Sequence, residues 1–134
     1  MDKFRDLLGS ICARPAMFVG RSSLNAVALV LAGYSHGVSD CGQAAPPTHE
    51  FQRWVEMRFC IRHATWNWTR IVLHEYGDDR AALSALPALY DEFLRNREQL
   101  GMEWIEAEAA RRLMAEYGQN WGAPRETKTQ LISE

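Results

Sequence analysis

The sequence predicts an all-α protein, a compact bundle of five to six helices. Apolar residues recur at every third or fourth position through most of the chain, which is the spacing of a helix with one buried face. The strongest such pattern covers residues 80–100. No segment keeps the alternation of a half-buried strand, and no Asn-Gly or Asp-Gly pair marks a hairpin turn.

Two helices are expected in the first third of the chain. The first covers residues 2–13 and ends at Arg14-Pro15, because the residue before a proline is pushed out of the helical conformation. A short connector, residues 15–20, leads to a second helix that Ser22 or Ser23 caps. This second helix is apolar nearly all round, so we expect it at the centre of the core.

Residues 37–48 form the one clear loop, since glycine and a Pro46-Pro47 pair interrupt regular structure there. Thr48 or His49 opens a third helix. Thr65 or Asn67 caps or interrupts a further segment, residues 66–76. Its Ile71-Val72-Leu73 run resembles a strand, but a helix is favoured by the four-residue spacing of Trp68, Val72 and Tyr76 and of Ile71 and Glu75.

The second half of the chain predicts one long helix and one shorter helix. Asp78-Asp79 follows Gly77 and supplies an N-cap and negative charge at the start of the long helix. Pro87 should kink this helix or start its second half. Gly101 closes it, and residues 103–117 form the last helix before Gly118.

Length and composition indicate one soluble domain. The chain has 134 residues, 47% of them hydrophobic and 24% charged, as in ordinary globular proteins. We expect a single helical domain over residues 1–122 and a flexible tail over residues 123–134. No stretch is apolar enough for a signal core or a membrane span, and three cysteines form no disulfide framework, so we expect a cytoplasmic protein without a membrane partner.

Charge is distributed unevenly along the chain. Residues 1–74 hold eight basic and five acidic side chains, a balance of +3, whereas residues 75–116 hold five basic and ten acidic ones, a balance of −5. The overall charge of −2 argues against nucleic-acid binding, which needs a clustered basic surface. The acidic half is a candidate surface for a basic partner, although acidic residues that merely solvate helices explain the same pattern.

The candidate partner-binding residues share acidic charge or expected exposure. They are Asp78, Asp79, Asp91, Glu92, Glu103, Glu106 and Trp121. Trp121 belongs to this set because a tryptophan left exposed beside acidic residues would mark a binding hot spot.

No signature of an enzyme is present in the sequence. The phosphate-binding, metalloprotease and serine-hydrolase motifs are all missing, so we expect neither catalytic residues nor a cofactor. Cys60 and His63 lie one helical turn apart and could share a metal ion. A single Cys/His pair is more often structural, so no metal is expected.

Arg58 and Arg62 fall within the apolar face of the third helix. A buried guanidinium without an acidic partner is costly, so these side chains either meet carboxylates or line a cleft. Asp91 and Glu92 are the natural partners, and we favour an internal ion pair between two helices. The alternative is an anion site formed by both arginines with His63, in a small-ligand regulator or an enzyme.

The run Arg14-Pro15-Ala16-Met17-Phe18-Val19-Gly20, followed by Leu24 and Ala32-Gly33-Tyr34, resembles a group of small bacterial proteins with an RPxMYxG…GY opening. Further matching positions are Phe51, Trp54, Trp68, Gly77-Asp78, Ala81 and Phe93. Phe18 stands where the group has tyrosine. These proteins are encoded beside secreted polymorphic toxins and are taken to be immunity proteins. The resemblance implies a cytoplasmic protein that binds an adjacently encoded toxin and blocks its active site.

Overall fold

Six α-helices make up the part of the chain that the computed structural model describes, residues 2–61 and 66–118. Their bounds are α1 Lys3–Ala13, α2 Pro15–Val19, α3 Leu24–Asp40, α4 Thr48–Phe59, α5 Trp68–Tyr76 and α6 Asp79–Tyr117. These residues contain no strand, which confirms the all-α prediction. None of the helices is long and apolar enough to cross a membrane.

Polar side chains fix where four of the helices begin. Asp2, Ser23, Asn67 and Asp78 each accept a hydrogen bond from the backbone N–H three residues further on. Such caps satisfy backbone donors that have no partner inside the helix. The caps predicted at Ser23, Asn67 and Asp78 are confirmed.

The core lies where α1, α4 and α5 pack against α6. At its centre the ring of Phe51 lies 5.3 Å from that of Tyr90 and 5.4 Å from that of Phe93, centroid to centroid, and Phe4 lies 5.5 Å from Tyr90. Trp54 is fully buried beside them. Tilted and edge-on ring contacts of this kind stabilise a core beyond the area that they bury.

A sharp change in backbone direction divides α6 at Gly101, the only described residue of this helix with non-helical dihedral angles (φ 83°, ψ 155°). Glycine adopts such a positive φ without the clash that a Cβ atom would cause. The second half of the helix therefore does not start at Pro87, because the helix continues through that residue, and a kink there stays a prediction. The second segment of α6, from Met102 to Tyr117, corresponds to the separate last helix of the prediction.

Three further expectations need correction. The predicted connector at residues 15–20 is a short helix, because Pro15 stands at the first helical position and Gly20 ends the turn with φ 81°. The helix expected at the centre of the core, α3, instead lies at the periphery. It buries Leu24, Val27 and Leu31 on one face and leaves Leu29 74% exposed. It also extends to Asp40, into the predicted loop.

The predicted boundary between domain and tail at residue 122 lies outside the described residues, as do Arg62, His63 and Trp121.

Candidate functional site

The acidic pair at the start of α6 caps two helices. Asp78 Oδ1 accepts a hydrogen bond from the Ala81 N–H at 2.8 Å, and Asp79 Oδ1 accepts one from the Leu24 N–H at 2.8 Å. The second bond joins the starts of α6 and α3. Both carboxylates therefore have structural roles, whatever a partner contacts.

The next two predicted acidic residues form ion pairs with other helices. Asp91 accepts hydrogen bonds from Nε and Nη2 of Arg5, the second at 2.9 Å, so α1 and α6 are joined by a two-bonded pair. The bond from Arg5 lowers the pKa of Asp91. Glu92 Oε2 accepts from Arg58 Nε at 2.8 Å, which joins α4 to α6.

The internal ion pair predicted for Arg58 is thus confirmed, with Glu92 rather than Asp91 as its partner. The Arg58 side chain is 41% exposed, so the expectation that it lies within the buried face of α4 is wrong. Its charge lies at the edge of the interface, where its guanidinium also stacks 5.1 Å from the centre of the Phe59 ring. The anion site suggested for Arg58, Arg62 and His63 stays a prediction for the two residues outside the described part.

The two predicted acidic residues in the second segment of α6, Glu103 and Glu106, have no such role within the described residues. Glu103 and Glu106 are exposed, and neither forms an ion pair with any described residue. They lie more than twenty residues from Asp79 along α6, beyond the change of direction at Gly101. The predicted acidic residues therefore divide into four that have structural roles and two that do not.

Trp104 lies between these two glutamates and is 42% exposed. The opposite side of the same segment buries Ile105 and Leu113 completely or nearly so, which fixes its orientation. Met114, ten residues further along the same segment, is also exposed, at 47%. Glu103, Trp104, Glu106 and Met114 are called the α6 outer face below.

The predicted set named Trp121 and missed Trp104. Trp104 precedes the buried Ile105 by one position, which rotates it by about 100° away from the core. The helical periodicity of residues 103–117 could therefore have predicted that Trp104 is exposed.

A second candidate site is a cavity of about 340 Å³ among α1, α3, α4, α5 and α6. Its walls are mainly apolar, and Phe4, Leu31, Phe51 and Tyr90 contribute to them. The side chains of Thr48 and His49 line it at the first turn of α4. No sequence pattern indicated this cavity, because it is assembled from five helices.

The Tyr90 hydroxyl is the one buried side-chain polar atom of the described residues that has no hydrogen-bond partner. Burial raises the pKa of Tyr90, so its side chain stays neutral. A buried polar group left without a partner costs about 1–3 kcal/mol, and such groups in native proteins call for an explanation.

Cys60 does not have the environment of a reactive thiol. Its Sγ donates to the Arg112 carbonyl oxygen at 3.4 Å, and burial raises its pKa, which disfavours the nucleophilic thiolate. The described residues include no group of three or more side chains that could hold a metal ion. His63, its suggested metal-binding partner, lies outside the described residues.

Comparisons of the chain with protein-family models, with curated proteins and with solved structures found no match.

Proposed function

We propose that this protein is a bacterial immunity protein, which binds an adjacently encoded toxin in the cytoplasm and blocks the active site of that toxin. The observation that carries the proposal is Trp104, a tryptophan 42% exposed between two exposed acidic residues. Tryptophan is enriched among the residues that dominate binding energy in protein interfaces.

The charges around Trp104 favour a basic partner. Glu103 and Glu106 have no ion-pair partner within the described residues, so their charges are available to a second protein. The nearest basic side chain on the same side, Arg111, already binds Glu108 through two hydrogen bonds of 2.6 Å. Complementary charge accelerates association and makes it sensitive to salt.

The α6 outer face is held on a rigid support. Ile105 and Leu113 anchor the segment in the core, and Arg112 donates to the Met57 carbonyl oxygen at 3.4 Å. The Cys60 thiol returns a bond to the Arg112 carbonyl oxygen. A surface ordered before binding loses less conformational entropy when the partner arrives, which favours tight neutralisation.

The remaining acidic residues of the predicted set support binding less directly. Caps and ion pairs already engage four of them, Asp78, Asp79, Asp91 and Glu92. Their charges would therefore act on a partner only at a distance, where salt screens them. This distinction decides which substitutions can test the proposal, because reversing a capping charge also unfolds a helix end.

The test is co-purification of the full chain with the product of the neighbouring gene, followed by titration calorimetry. We expect Trp104→Ala to weaken binding at least about tenfold, since hot-spot truncations commonly exceed 1.4 kcal/mol. Leu29→Ala is the matched control, because Leu29 is 74% exposed on α3, far from the α6 outer face in the chain.

The charge contribution is tested separately. The double variant Glu103→Lys and Glu106→Lys should weaken binding and remove most of its salt dependence. The double variant Asp40→Lys and Glu75→Lys, at exposed positions on α3 and α5, is the charge-matched control. Wild-type affinity in both Trp104→Ala and the double variant at Glu103 and Glu106 would reject the α6 outer face, and failure of the neighbouring product to bind would reject the immunity function.

A further inference from the structure

The cavity among the helices has mainly apolar walls, and Thr48 and His49 line it at the first turn of α4. Phe4, Leu8, Leu31 and Phe51 supply the apolar walls, and all four are less than a tenth exposed. On α3 the small residues Ala28 and Ala32 line the cavity one helical turn apart. Its volume of about 340 Å³ lies within the range of small-molecule sites.

One donor is the Tyr90 hydroxyl. Tyr90 lines the cavity, is 1% exposed, and its hydroxyl has no partner among the described residues. The charges that act on it come from Asp2, Glu50 and Arg97. Asp2 and Glu50 lie at the starts of α1 and α4, and Thr48 and His49, which line the cavity, also lie at the start of α4.

The other donors belong to the start of α4. Its N-cap is Pro47, which provides no side-chain hydrogen bond. Within the described part of the chain, the backbone N–H groups of His49 and Glu50 have no acceptor, and the side chains of Thr48 and His49 make no hydrogen bond. An uncapped helix start presents N–H groups toward an acceptor atom.

The charge at this end disfavours an anion. Asp2 and Glu50 are both acidic, and Arg97 already binds Glu50 Oε1 at 3.1 Å. A carboxylate would face these two negative charges, whereas an uncharged oxygen would use the same donors without repulsion.

We propose that this cavity binds a small neutral molecule with an apolar body and one hydrogen-bond-accepting oxygen, such as a carbonyl, which the Tyr90 hydroxyl and the first turn of α4 recognise. The hydroxyl exposes less than 1 Å², so the ligand oxygen reaches it by displacing side chains at the cavity wall. The site shares no residue with the α6 outer face, and the proposal does not depend on the toxin-binding function.

Three probes of one shape separate the contributions. Acetophenone carries the carbonyl, ethylbenzene lacks it, and benzoate carries a charge in its place. We expect titrations followed by amide chemical shifts to give acetophenone about tenfold tighter binding than ethylbenzene, the equivalent of one good hydrogen bond. Benzoate should bind more weakly than acetophenone, and the shifts should concentrate on α3, α4 and Tyr90.

Two variants locate the binding. Tyr90→Phe should reduce acetophenone affinity toward that of ethylbenzene, because only the first turn of α4 then remains to recognise the carbonyl, and should leave ethylbenzene affinity unchanged. Ala28→Leu should fill the cavity and abolish binding of both, whereas the control Ala107→Leu on the exposed side of α6 should not. The proposal is overturned if acetophenone causes no shifts at the cavity, or if Tyr90→Phe, confirmed as folded by its spectrum, binds it as wild type does.

Discussion

Trp54 Nε1 donates a hydrogen bond of 2.9 Å to Asn96 Oδ1, and this bond joins the centre of α4 to α6 at a point where the indole is fully buried. The interface between these two helices forms the largest part of the core. A polar bond inside it fixes how the two helices align, because any shift would leave the indole N–H buried without an acceptor.

Substitution of this tryptophan should therefore destabilise the protein strongly. Trp54→Ala removes a fully buried aromatic side chain and should lower the free energy of unfolding by about 3–5 kcal/mol. Urea denaturation followed by circular dichroism measures the change. Trp104→Ala, at a 42% exposed position, serves as the control and should stay within about 1 kcal/mol of wild type. Equal losses in the two variants would contradict the burial difference.

The Arg58–Glu92 ion pair should contribute little to stability. The two side chains are 41% and 33% exposed, and solvent screens pairs of this kind, so a double-mutant cycle with Arg58→Met and Glu92→Leu should give a coupling of about 0.2–1 kcal/mol. The same cycle with Arg58→Met and Asp91→Leu should give none, because Asp91 pairs with Arg5. Coupling to Asp91 instead would mean that the partners are assigned wrongly.

The Arg5–Asp91 pair should make stability depend on pH at the acidic end. Arg5 lowers the pKa of Asp91 in the folded protein, whereas the unfolded value is near 3.9. The stabilisation is therefore complete above the unfolded pKa and is lost as pH falls through the folded pKa. Asp91→Asn should lose stability at neutral pH and show a shallower decline in Tm below about pH 4. The exposed Asp40→Asn provides the comparison, and a wild-type slope in Asp91→Asn would count against the pair.

Removal of the Tyr90 hydroxyl should not harm the fold. It has no hydrogen-bond partner in the described part of the chain, so Tyr90→Phe relieves a desolvation cost and should raise the free energy of unfolding by about 1 kcal/mol. Tyr117→Phe removes an exposed hydroxyl that donates to the Cys60 carbonyl oxygen at 3.5 Å, so this control should not raise the free energy of unfolding. A loss of stability in Tyr90→Phe in the absence of added ligand would show that the protein itself satisfies the hydroxyl.

Two glycines should respond in opposite directions to alanine. Gly101 has φ 83°, which strains any residue with a Cβ atom, so Gly101→Ala should cost roughly 1–2 kcal/mol. Gly33 lies inside α3 with no atom within 4 Å of an added Cβ, and Gly33→Ala should stabilise by about 0.5–1 kcal/mol. Thermal unfolding of both variants tests these two predictions. A Gly101→Ala variant more stable than wild type would contradict the break in α6 at this residue.

Patterns within short segments of the sequence predicted most of the helices and their caps, but they did not predict the contacts between distant segments. The caps at Ser23 and Asn67 follow from short-range chemistry between a side chain and the next turn, which a sequence displays directly. The position of α3 does not follow from short-range chemistry, because the apolar composition of a helix does not show how many other helices pack around it. The exposure of Leu29 depends on where α1 and α2 lie, and spacing along the chain does not contain that information.

The candidate sites show the same division. An acidic partner for Arg58 was predictable from charge, but the choice of Glu92 over Asp91 depends on the rotation of α6 against α4. The cavity beside Tyr90 gathers residues from five helices, so no segment of the sequence contains its pattern. The outer position of Trp104 was readable from the helical period, once Ile105 is recognised as the buried residue of its turn.

The bond from the Leu24 N–H to Asp79 links the first turns of two helices that are 55 positions apart in the chain. Opening of either turn breaks the same bond, so the two ends should unravel together as one cooperative unit. Local fluctuations in a protein commonly follow such units rather than single helices. In native-state hydrogen exchange, the amide of Leu24 would then report on opening at the beginning of α6. A bound molecule that reduces local opening at the start of one of these helices would slow hydrogen exchange at the start of the other.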